Sequence, residues 1–588
     1  MIDAADLADP SVDSPVREDL SGRDLKFWGC ALVVVVLAAL LFFAGLGAPS
    51  LWGPEGRWGS IAREMQLSGN YFWPTINGRL YYDKPLLTYW LIVAASFVTG
   101  NFHEFTIRLP GAIAGLLGVA LVMLLARRLY DRRTALFSGC IMATCFGYVF
   151  WTRVASADIE TVTGVLAAIT YYWFRREDTN TWWTIGFWLI MAVTSLTKGL
   201  LGFALPLLVI GFASIVSGGW RDLAAGIFRG RLPLRVAWLK ARMGWFFNWK
   251  TILGLAVAAL VYYLPFAVSG SLMKSDAGVA AVLRENIQRY FEPFDHQDAF
   301  YMYAFWIWRL MAPWSVFLPA MITQMIVTPK ERNDRFVLTY FWAIYIFFTL
   351  SGSRRYYYLL PILPPAAILT ARLFAAPKES IDRRVRYLIK GGLALLAMAI
   401  LVFGIAALFP SSWRFGPWRS LPELPNPMLF GAIWLAQIVA LAVAVKNTSI
   451  VGIGRSACVI AFISLVYIFI WFNPLAMMDH GEKAFAQAVR TRLQGDMSGL
   501  AIFAVHGPGL AYYLAAKEPI PEFFNVRSLQ QHAESRGALW IISLEEKLRL
   551  LPWGGQIVER EDRFSPRNSL RRPRGLVLFH VPKKAKVD

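Results

Sequence analysis

The sequence predicts a polytopic α-helical membrane protein with a small α/β domain at its C-terminal end. Three observations lead there. Of the 588 residues, 56% are hydrophobic and only 17% charged, a balance outside that of soluble domains of this size. The apolar residues gather in runs of about 20, the length that crosses a bilayer. After residue 474 the pattern changes to apolar stretches of strand length separated by helical ones.

Residues 1–26 are polar and read as a cytoplasmic tail, loose over the first 24. They hold four acids before Arg17 and no cleavage-site pattern, and the run at 27–48 is too long for a signal-peptide core, so it is a retained first membrane helix. Further runs near 108–127, 134–153, 160–175, 181–196, 200–218, 251–268, 305–327, 336–351, 358–376, 391–409, 427–445 and 456–473 bring the predicted spans to thirteen and define a transmembrane domain over 27–473. Two long loops interrupt it, at 49–107 and 269–304. Within the first, 57–67 and 85–100 read as interfacial helices. If 85–100 crossed the membrane, the basic pairs after it would switch sides.

The formal charge of +20 could suggest nucleic acid, but its placement argues otherwise. Arg127, Arg128, Arg132 and Arg133, the pair Arg175 and Arg176, the stretches 221–250, 330–335 and 378–390, and Lys446 with Arg455 fall at alternate helix ends. That is the bias of cytoplasmic loops. It puts the N-terminus inside, and the loops 49–107, 154–159, 197–199, 269–304, 352–357 and 410–426 outside, which in a bacterial inner membrane means periplasmic. Cys30, Cys140, Cys145 and Cys458 lie in or beside apolar runs without CxxC spacing, so neither a disulfide framework nor a thiolate metal site is supported.

Residues 474–588 form the predicted periplasmic α/β domain. Strands are expected at 500–505, 519–524, 538–543 and 574–581, and helices at 483–493 and 528–536. Gly507-Pro508-Gly509 lacks GxGxxG spacing and a P-loop lysine, so it reads as an ordinary strand-to-helix turn. The Arg- and Pro-rich stretch 561–573 reads as a mobile hairpin.

The chemistry points to the stretch 52–98. Glu55, Arg57, Arg63, Glu64, Asp83 and Lys84 sit there among Trp52, Trp58, Trp73, Tyr81 and Tyr82, between segments apolar enough to cross a bilayer. Charges at such an interface are costly and mark function by default. Glu55, and Asp158 in VASADIE, are carboxylates able to orient or deprotonate an acceptor. Asp158 also fits a helix N-cap. Arg57, Lys84, Lys198, Arg289, Arg354 and Arg355 are the outward cations nearest the membrane helices, suited to gripping a phosphate at headgroup level. Headgroup snorkelling is the alternative for each. The six histidines show no HExxH, and Asp83 with His296, or with a neighbouring carboxylate, is the pairing left for a metal. Two classes fit a lipid-linked substrate, a transferase and a flippase or transporter. Transport calls for ionisable residues and broken helices near the midplane, whereas these candidates cluster at outer helix ends.

Six stretches in order then carry a resemblance: LWGPEGRWGSIAREM, GRLYYDKPLLTYW, the Asp158 turn, SLTKGLLGFALPLL at 195–208, ENIQRYFEPFDHQ at 285–297 and SGSRRYYYLLPILPP at 351–365. Over most of 27–376 the chain resembles the bacterial branch of the protein O-mannosyltransferase superfamily, and within it the lipid A aminoarabinose transferases. The resemblance implies the GT-C fold and an inverting membrane glycosyltransferase. Its donor would be a sugar on undecaprenyl phosphate, such as 4-amino-4-deoxy-L-arabinose, and its acceptor a lipid A phosphate at the periplasmic face. A protein hydroxyl or another glycan is the alternative acceptor. It further implies catalytic roles for Glu55 and Asp158, and donor-phosphate contacts from Arg57, Tyr82, Lys84, Lys198, Arg289, Arg354, Arg355 and Tyr358. No cofactor is required, a divalent metal is allowed for, and a monomer among membrane lipids is expected, with no nucleic acid partner. The chain departs from the family pattern in three places. Asp-Glu-x-Arg is here Pro54-Glu55-Gly56-Arg57, Glu-Lys-Pro is Asp83-Lys84-Pro85, and Glu-His-Ile-Gln-Arg is Glu285-Asn286-Ile287-Gln288-Arg289, without the histidine that would favour a metal.

Overall fold

A computed structural model describes residues 22–51, 53–217, 244–274, 276–292, 298–327, 331–376, 381–408, 426–446, 449–472, 481–505, 507–536, 539–564 and 574–582. Residues 1–21 of the tail expected to be loose, the basic stretch 218–243, residues 409–425, His296 and residues 565–573 of the expected hairpin lie outside them.

Each of the thirteen predicted spans contains helix among the described residues. The first six are α1 (Gly22–Phe43), α4 (Glu104–Leu129), the bent pair α5 (Arg132–Ala143) and α6 (Phe146–Thr152), α7 (Asp158–Arg175), α8 (Trp183–Lys198) and α9 (Leu201–Ser217), with α2 (Glu55–Ser68) and α3 (Leu87–Thr99) in the first loop. The others include Trp249–Met273, Arg332–Leu350, Leu363–Ala375, Arg383–Leu408, Pro427–Lys446 and Ile450–Val466. Among the described residues, seven helices are long and apolar enough to cross a membrane, or nine if each bent pair is one span. The chain is therefore a multi-pass membrane protein, although length and composition alone do not reach thirteen crossings.

The two bends support each other. Between α5 and α6 the axis turns by 62°, and between Met302–Leu310 and Trp314–Val327 by 116°. Phe146 N–H donates to Ala312 O at 2.7 Å, and Trp314 Nε1 to Thr144 Oγ1 at 2.9 Å, so the backbone and side chain freed at one break are satisfied by the other.

The first loop folds as expected into two short helices, joined by a hairpin of β1 (Thr75–Ile76) and β2 (Arg79–Leu80). Glu64 fixes the hairpin to α2 by accepting from Thr75 Oγ1 at 2.6 Å and from the N–H groups of Asn77 and Gly78 at 2.5 and 3.1 Å. The second loop is less of a loop than predicted. The helix from Trp249 continues to Met273 and is followed by Ala277–Val282, a π-helical turn Leu283–Gln288 and a single turn Arg289–Phe291.

Among the described residues, the C-terminal sheet has five strands in the order β4-β3-β5-β7-β6. Here β3 is Leu500–Phe503, β4 Glu522–Phe523, β5 Leu539–Leu544, β6 Gln556–Arg560 and β7 Leu576–Val581. Pairings of β3 with β4 and β5 are parallel, and those of β7 with β5 and β6 antiparallel. Alternation along the strands divides the core. Leu500, Ile502, Ile542, Leu576 and Leu578 face a cluster shared with Trp58, Ile61, Met65 and Tyr89 of the first loop, while Ala501, Phe503, Leu539, Ile541, Phe579 and Val581 face the opposite side. The domain thus shares a core with α2 and α3.

The seam is close and polar at its edge. A Cβ on Gly56 would lie 2.5 Å from Gly509 Cα, so it is the missing side chain of Gly56 that lets α2 approach the backbone of the Gly507-Pro508-Gly509 turn. Arg63 caps the helix that follows, Pro508–Leu514, by donating to the carbonyls of Tyr512 at 2.8 Å and Ala511 at 3.3 Å. Lys483 reaches Glu104 at 2.6 Å, and Asn77 Nδ2 reaches Ile520 O at 2.6 Å.

Candidate active site

A cavity of about 760 Å³ opens where α2, the chain before α3, the start of α7, the end of α8, the 283–291 turns and the 351–358 turn converge. Arg57, Tyr82, Asp83, Lys84, Asp158, Lys198, Arg289, Arg355 and Tyr358 all line it, so most residues singled out from the sequence meet in one place. The volume suits a small-molecule site. One part of the wall is charged, and another, with Leu200, Leu201, Ala204, Phe266, Phe347 and Phe348, is apolar.

Local sequence explains how each group arrives. Lys84 precedes Pro85, which disfavours a helical turn at Lys84, so 81–84 cross the cavity outside any helix or strand before α3 begins. Asp158 is the first residue of α7 and Lys198 the last of α8. The acid stands at a helix N-terminus and the cation at a C-terminus, each where the helix dipole favours it. Gly199 ends α8 at φ +91°, and the Asn286 side chain fills the space a Cβ would take there. Asn286 Oδ1 also accepts the Leu200 N–H at 2.8 Å, tying the second loop to this turn.

The charges are interlocked. Lys198 Nζ donates to Asp158 Oδ1 and lies 5.1 and 4.9 Å from the ring centres of Tyr357 and Tyr358. Arg57 Nη1 donates to Asp83 Oδ2 at 2.9 Å and to the Tyr81 hydroxyl at 3.1 Å. Burial alone would lower the Arg57 pKa, but the Asp83 carboxylate with Tyr89 and Tyr81 outweighs it and raises the value, so the guanidinium stays charged. Lys84 Nζ stands 3.0 Å from Glu285 Oε2 and 3.7 Å from Asp83 Oδ2. Arg289 donates to the same Glu285 oxygen. Burial pushes the Tyr82 phenol up to about 12, which keeps it a neutral donor at physiological pH. Among the described residues, six cationic side chains line the cavity, Arg57, Lys84, Lys198, Arg284, Arg289 and Arg355, against three carboxylates, Asp83, Asp158 and Glu285. The excess of positive charge fits an anionic ligand.

Three expectations need correction. Glu55 does not line the cavity. It is 1% exposed, receives Arg108 Nε and Nη2 at 2.7 and 2.8 Å, and accepts the Ala155 N–H at 2.9 Å. Its carboxylate is committed to holding the first loop on α4 and on the turn before α7. Arg354 does not line the cavity either, and donates to the carbonyls of Thr349 at 3.2 Å and Asp298 at 2.9 Å. Asp158 is not an N-cap. Ala157 holds that position without a side-chain bond, and the Asp158 carboxylate faces Lys198 instead. As to a metal, Asp83 is engaged by Arg57 and Lys84, and among the described residues no three His, Cys, Asp or Glu side chains stand together.

Sequence reading missed Arg108, Arg284, Glu285, Asn286 and Trp151. The i,i+4 spacing of Glu285 and Arg289 was a signal for that pair. Nothing local marks Arg108 as the partner of Glu55.

Fold and cavity define a multi-pass membrane protein of GT-C architecture. In sequence, residues 83–228 match the family described as dolichyl-phosphate-mannose-protein mannosyltransferase. The undecaprenyl phosphate-alpha-4-amino-4-deoxy-L-arabinose arabinosyl transferase of Pseudomonas aeruginosa is 28% identical over 391 residues, covering 64% of this chain and 65% of that relative. Its namesake in Erwinia tasmaniensis is 25% identical over 409 residues, covering 67% and 66%. The chain thus spans about two thirds of the length of the curated relatives it matches. Among solved structures, ArnT from Cupriavidus metallidurans bound to undecaprenyl phosphate superposes with a TM-score of 0.67 at 20% identity, over 96% of this chain and 98% of that one. The apo form gives 0.69 at 19% identity, over 94% and 98%. The resemblance drawn from the motifs, and the fold it implied, are borne out.

Proposed function

We propose that the chain is a membrane glycosyltransferase that moves a sugar from undecaprenyl phosphate to an acceptor at the extracytoplasmic face, a lipid A phosphate. The observation that carries this reading is the cavity itself, cationic on one wall and apolar on another, as a phosphate joined to a polyprenyl chain requires. The names of the relatives support 4-amino-4-deoxy-L-arabinose as the sugar.

In this reading Lys84, Arg57, Arg289 and Arg355 hold the donor phosphate and stabilise the negative charge that grows on it as it leaves. A lipid A phosphate oxygen attacks the anomeric carbon as the bond to the donor phosphate oxygen breaks, and that oxygen departs with the electron pair. A single displacement of this kind inverts the anomeric centre. The acceptor is already anionic and needs little base, so Asp158 and Lys198 orient it, and Tyr82 and Tyr358 line the site. None of these steps calls on a metal.

The direction of α7 supports the orientation. It runs from Asp158 at the cavity to Arg175 at its far end, 18 residues or about 27 Å. Arg127 and Arg128 likewise end α4, far from its start at Glu104 beside the first loop. If basic ends face the cytoplasm, the cavity faces the periplasm across a bacterial inner membrane. The test is mass spectrometry of lipid A from cells with and without the protein. Phosphate groups bearing an added sugar only in its presence are expected, and an unchanged profile removes lipid A as the acceptor.

A further inference from the structure

Glu285 occupies the position in the cavity wall that an anionic ligand would be drawn to. Its Oε2 accepts from Lys84 Nζ at 3.0 Å and from Arg289 Nη1, and its Oε1 faces Arg284 Nη2 at 3.3 Å. One carboxylate is thus held by three cations from two separate parts of the chain. Its side chain is 11% exposed and those of Lys84 and Arg289 are nearly as sheltered, so these two attractions are less screened by solvent than the contact with the exposed Arg284.

The surrounding segment is anchored without it. Asn286 accepts from Leu200 N–H at 2.8 Å, the Tyr290 hydroxyl donates to Phe347 O at 3.1 Å, and Gly352 N–H donates to Tyr290 O at 2.9 Å. Glu285 itself lies on the π-helical turn Leu283–Gln288, a geometry that recurs at functional sites. Its side-chain ion pairs all go to cations that line the cavity. A phosphate approaching Lys84 and Arg289 must compete with a carboxylate already bound to both.

We propose that Glu285 is a resident counter-ion that occupies the phosphate subsite of the cavity and is displaced when the donor's phosphate arrives. It keeps Lys84 and Arg289 gathered while no ligand is present, and it sets the affinity for the donor by competing with it. The inference rests on the reading of the cavity as a polyprenyl phosphate site.

The test is binding of undecaprenyl phosphate to the purified full chain in nanodiscs, for the wild type, Glu285→Gln and Glu285→Asp, with thermal unfolding of each to establish folding. Gln keeps the shape and a hydrogen-bond acceptor but removes the charge. Glu285→Gln is expected to bind about tenfold more tightly than the wild type, since a like charge beside the phosphate is gone. Glu285→Asp, which keeps the charge, is expected to stay near the wild type. Inorganic phosphate at matching concentration is expected not to compete. Equal or weaker binding by a folded Glu285→Gln overturns the inference while leaving the cavity reading intact. Competition by inorganic phosphate overturns the lipid as the displacing ligand. No binding by the wild type overturns the cavity reading and the inference with it.

Discussion

Arg108 Nε and Nη2 donate to the two carboxylate oxygens of Glu55, at 2.7 and 2.8 Å, with both side chains all but closed to solvent. The remaining Arg108 donors go to the carbonyls of Leu46, Pro49 and Ser50, so the guanidinium fastens the chain leaving α1 to the start of α2. Removing one partner of such a pair strands the other. Arg108→Ala is expected to cost about 3–5 kcal/mol of stability, measured by unfolding in detergent. Glu55→Gln is expected to melt lower than the wild type yet retain sugar transfer per folded molecule, because its carboxylate does not reach the cavity. Loss of transfer in a Glu55→Gln protein of unchanged stability would restore Glu55 to the chemistry.

Asp158 meets Lys198 inside the cavity, so the consequence of neutralising it differs in kind. Asp158→Asn should leave the melting temperature within a few degrees and lower kcat by about 10²-fold, the cost of misplacing a reacting group by about 1 Å. The checking measurement is transfer at saturating donor, with unfolding run in parallel. Unchanged kcat would remove Asp158 from the reaction.

The two acids show what the sequence could and could not convey. Both stood in outer loops beside cations, and by that criterion they were equivalent. What separates them is tertiary. Arg108 lies in α4, more than fifty residues beyond Glu55, and captures it. No cation of that kind reaches Asp158, which is left to face Lys198. The helices and most of the C-terminal strands were legible because their periodicity is strong and local. Glu285 was harder. Its pairing with Lys84 joins residues 201 apart, and its loop read as unstructured because a π turn carries no 3.6-residue pattern. Arg354 and Arg355 could not be told apart by type, only by the direction in which the 351–358 turn points each.

The seam between Gly56 and Gly509 couples the C-terminal domain to the cavity through the next residue, Arg57. Gly56→Ala would place a methyl 2.5 Å from Gly509 Cα, so α2 and the 507–509 turn must move apart. A displacement of about 1 Å at a positioned group can cost 10²-fold in rate. Gly56→Ala is therefore expected to lose transfer by about that factor, measured beside Ser60→Ala, which loses a hydrogen bond to Pro508 O at the same seam without adding volume. Equal activity in both variants would separate the domain from the chemistry.

The ion cluster also sets a pH dependence. Burial alone would raise the Glu285 pKa, but Lys84, Arg289 and Arg284 outweigh it and hold the carboxyl below the usual range. A depressed folded-state pKa gives stability that is fully present above the unfolded value, about 4.3, and lost as pH falls through the folded value. The difference in melting temperature between the wild type and Glu285→Gln should be constant from pH 7 to about 5 and shrink below about pH 4. A difference that already shrinks between pH 8 and 6 would assign the titration to another group.

The most direct test of the account is sugar transfer by the purified chain from undecaprenyl phosphate-linked 4-amino-4-deoxy-L-arabinose to lipid A, read by mass spectrometry for the wild type and Lys84→Ala. Lys84 contributes a charge-assisted hydrogen bond of about 1.5–3 kcal/mol. The account predicts a sugar-bearing lipid A phosphate with the wild type, and an apparent donor affinity lower by about 10- to 100-fold in Lys84→Ala. A folded wild-type protein that transfers nothing from this class of donor, or a Lys84→Ala variant with unaltered donor affinity, would contradict it.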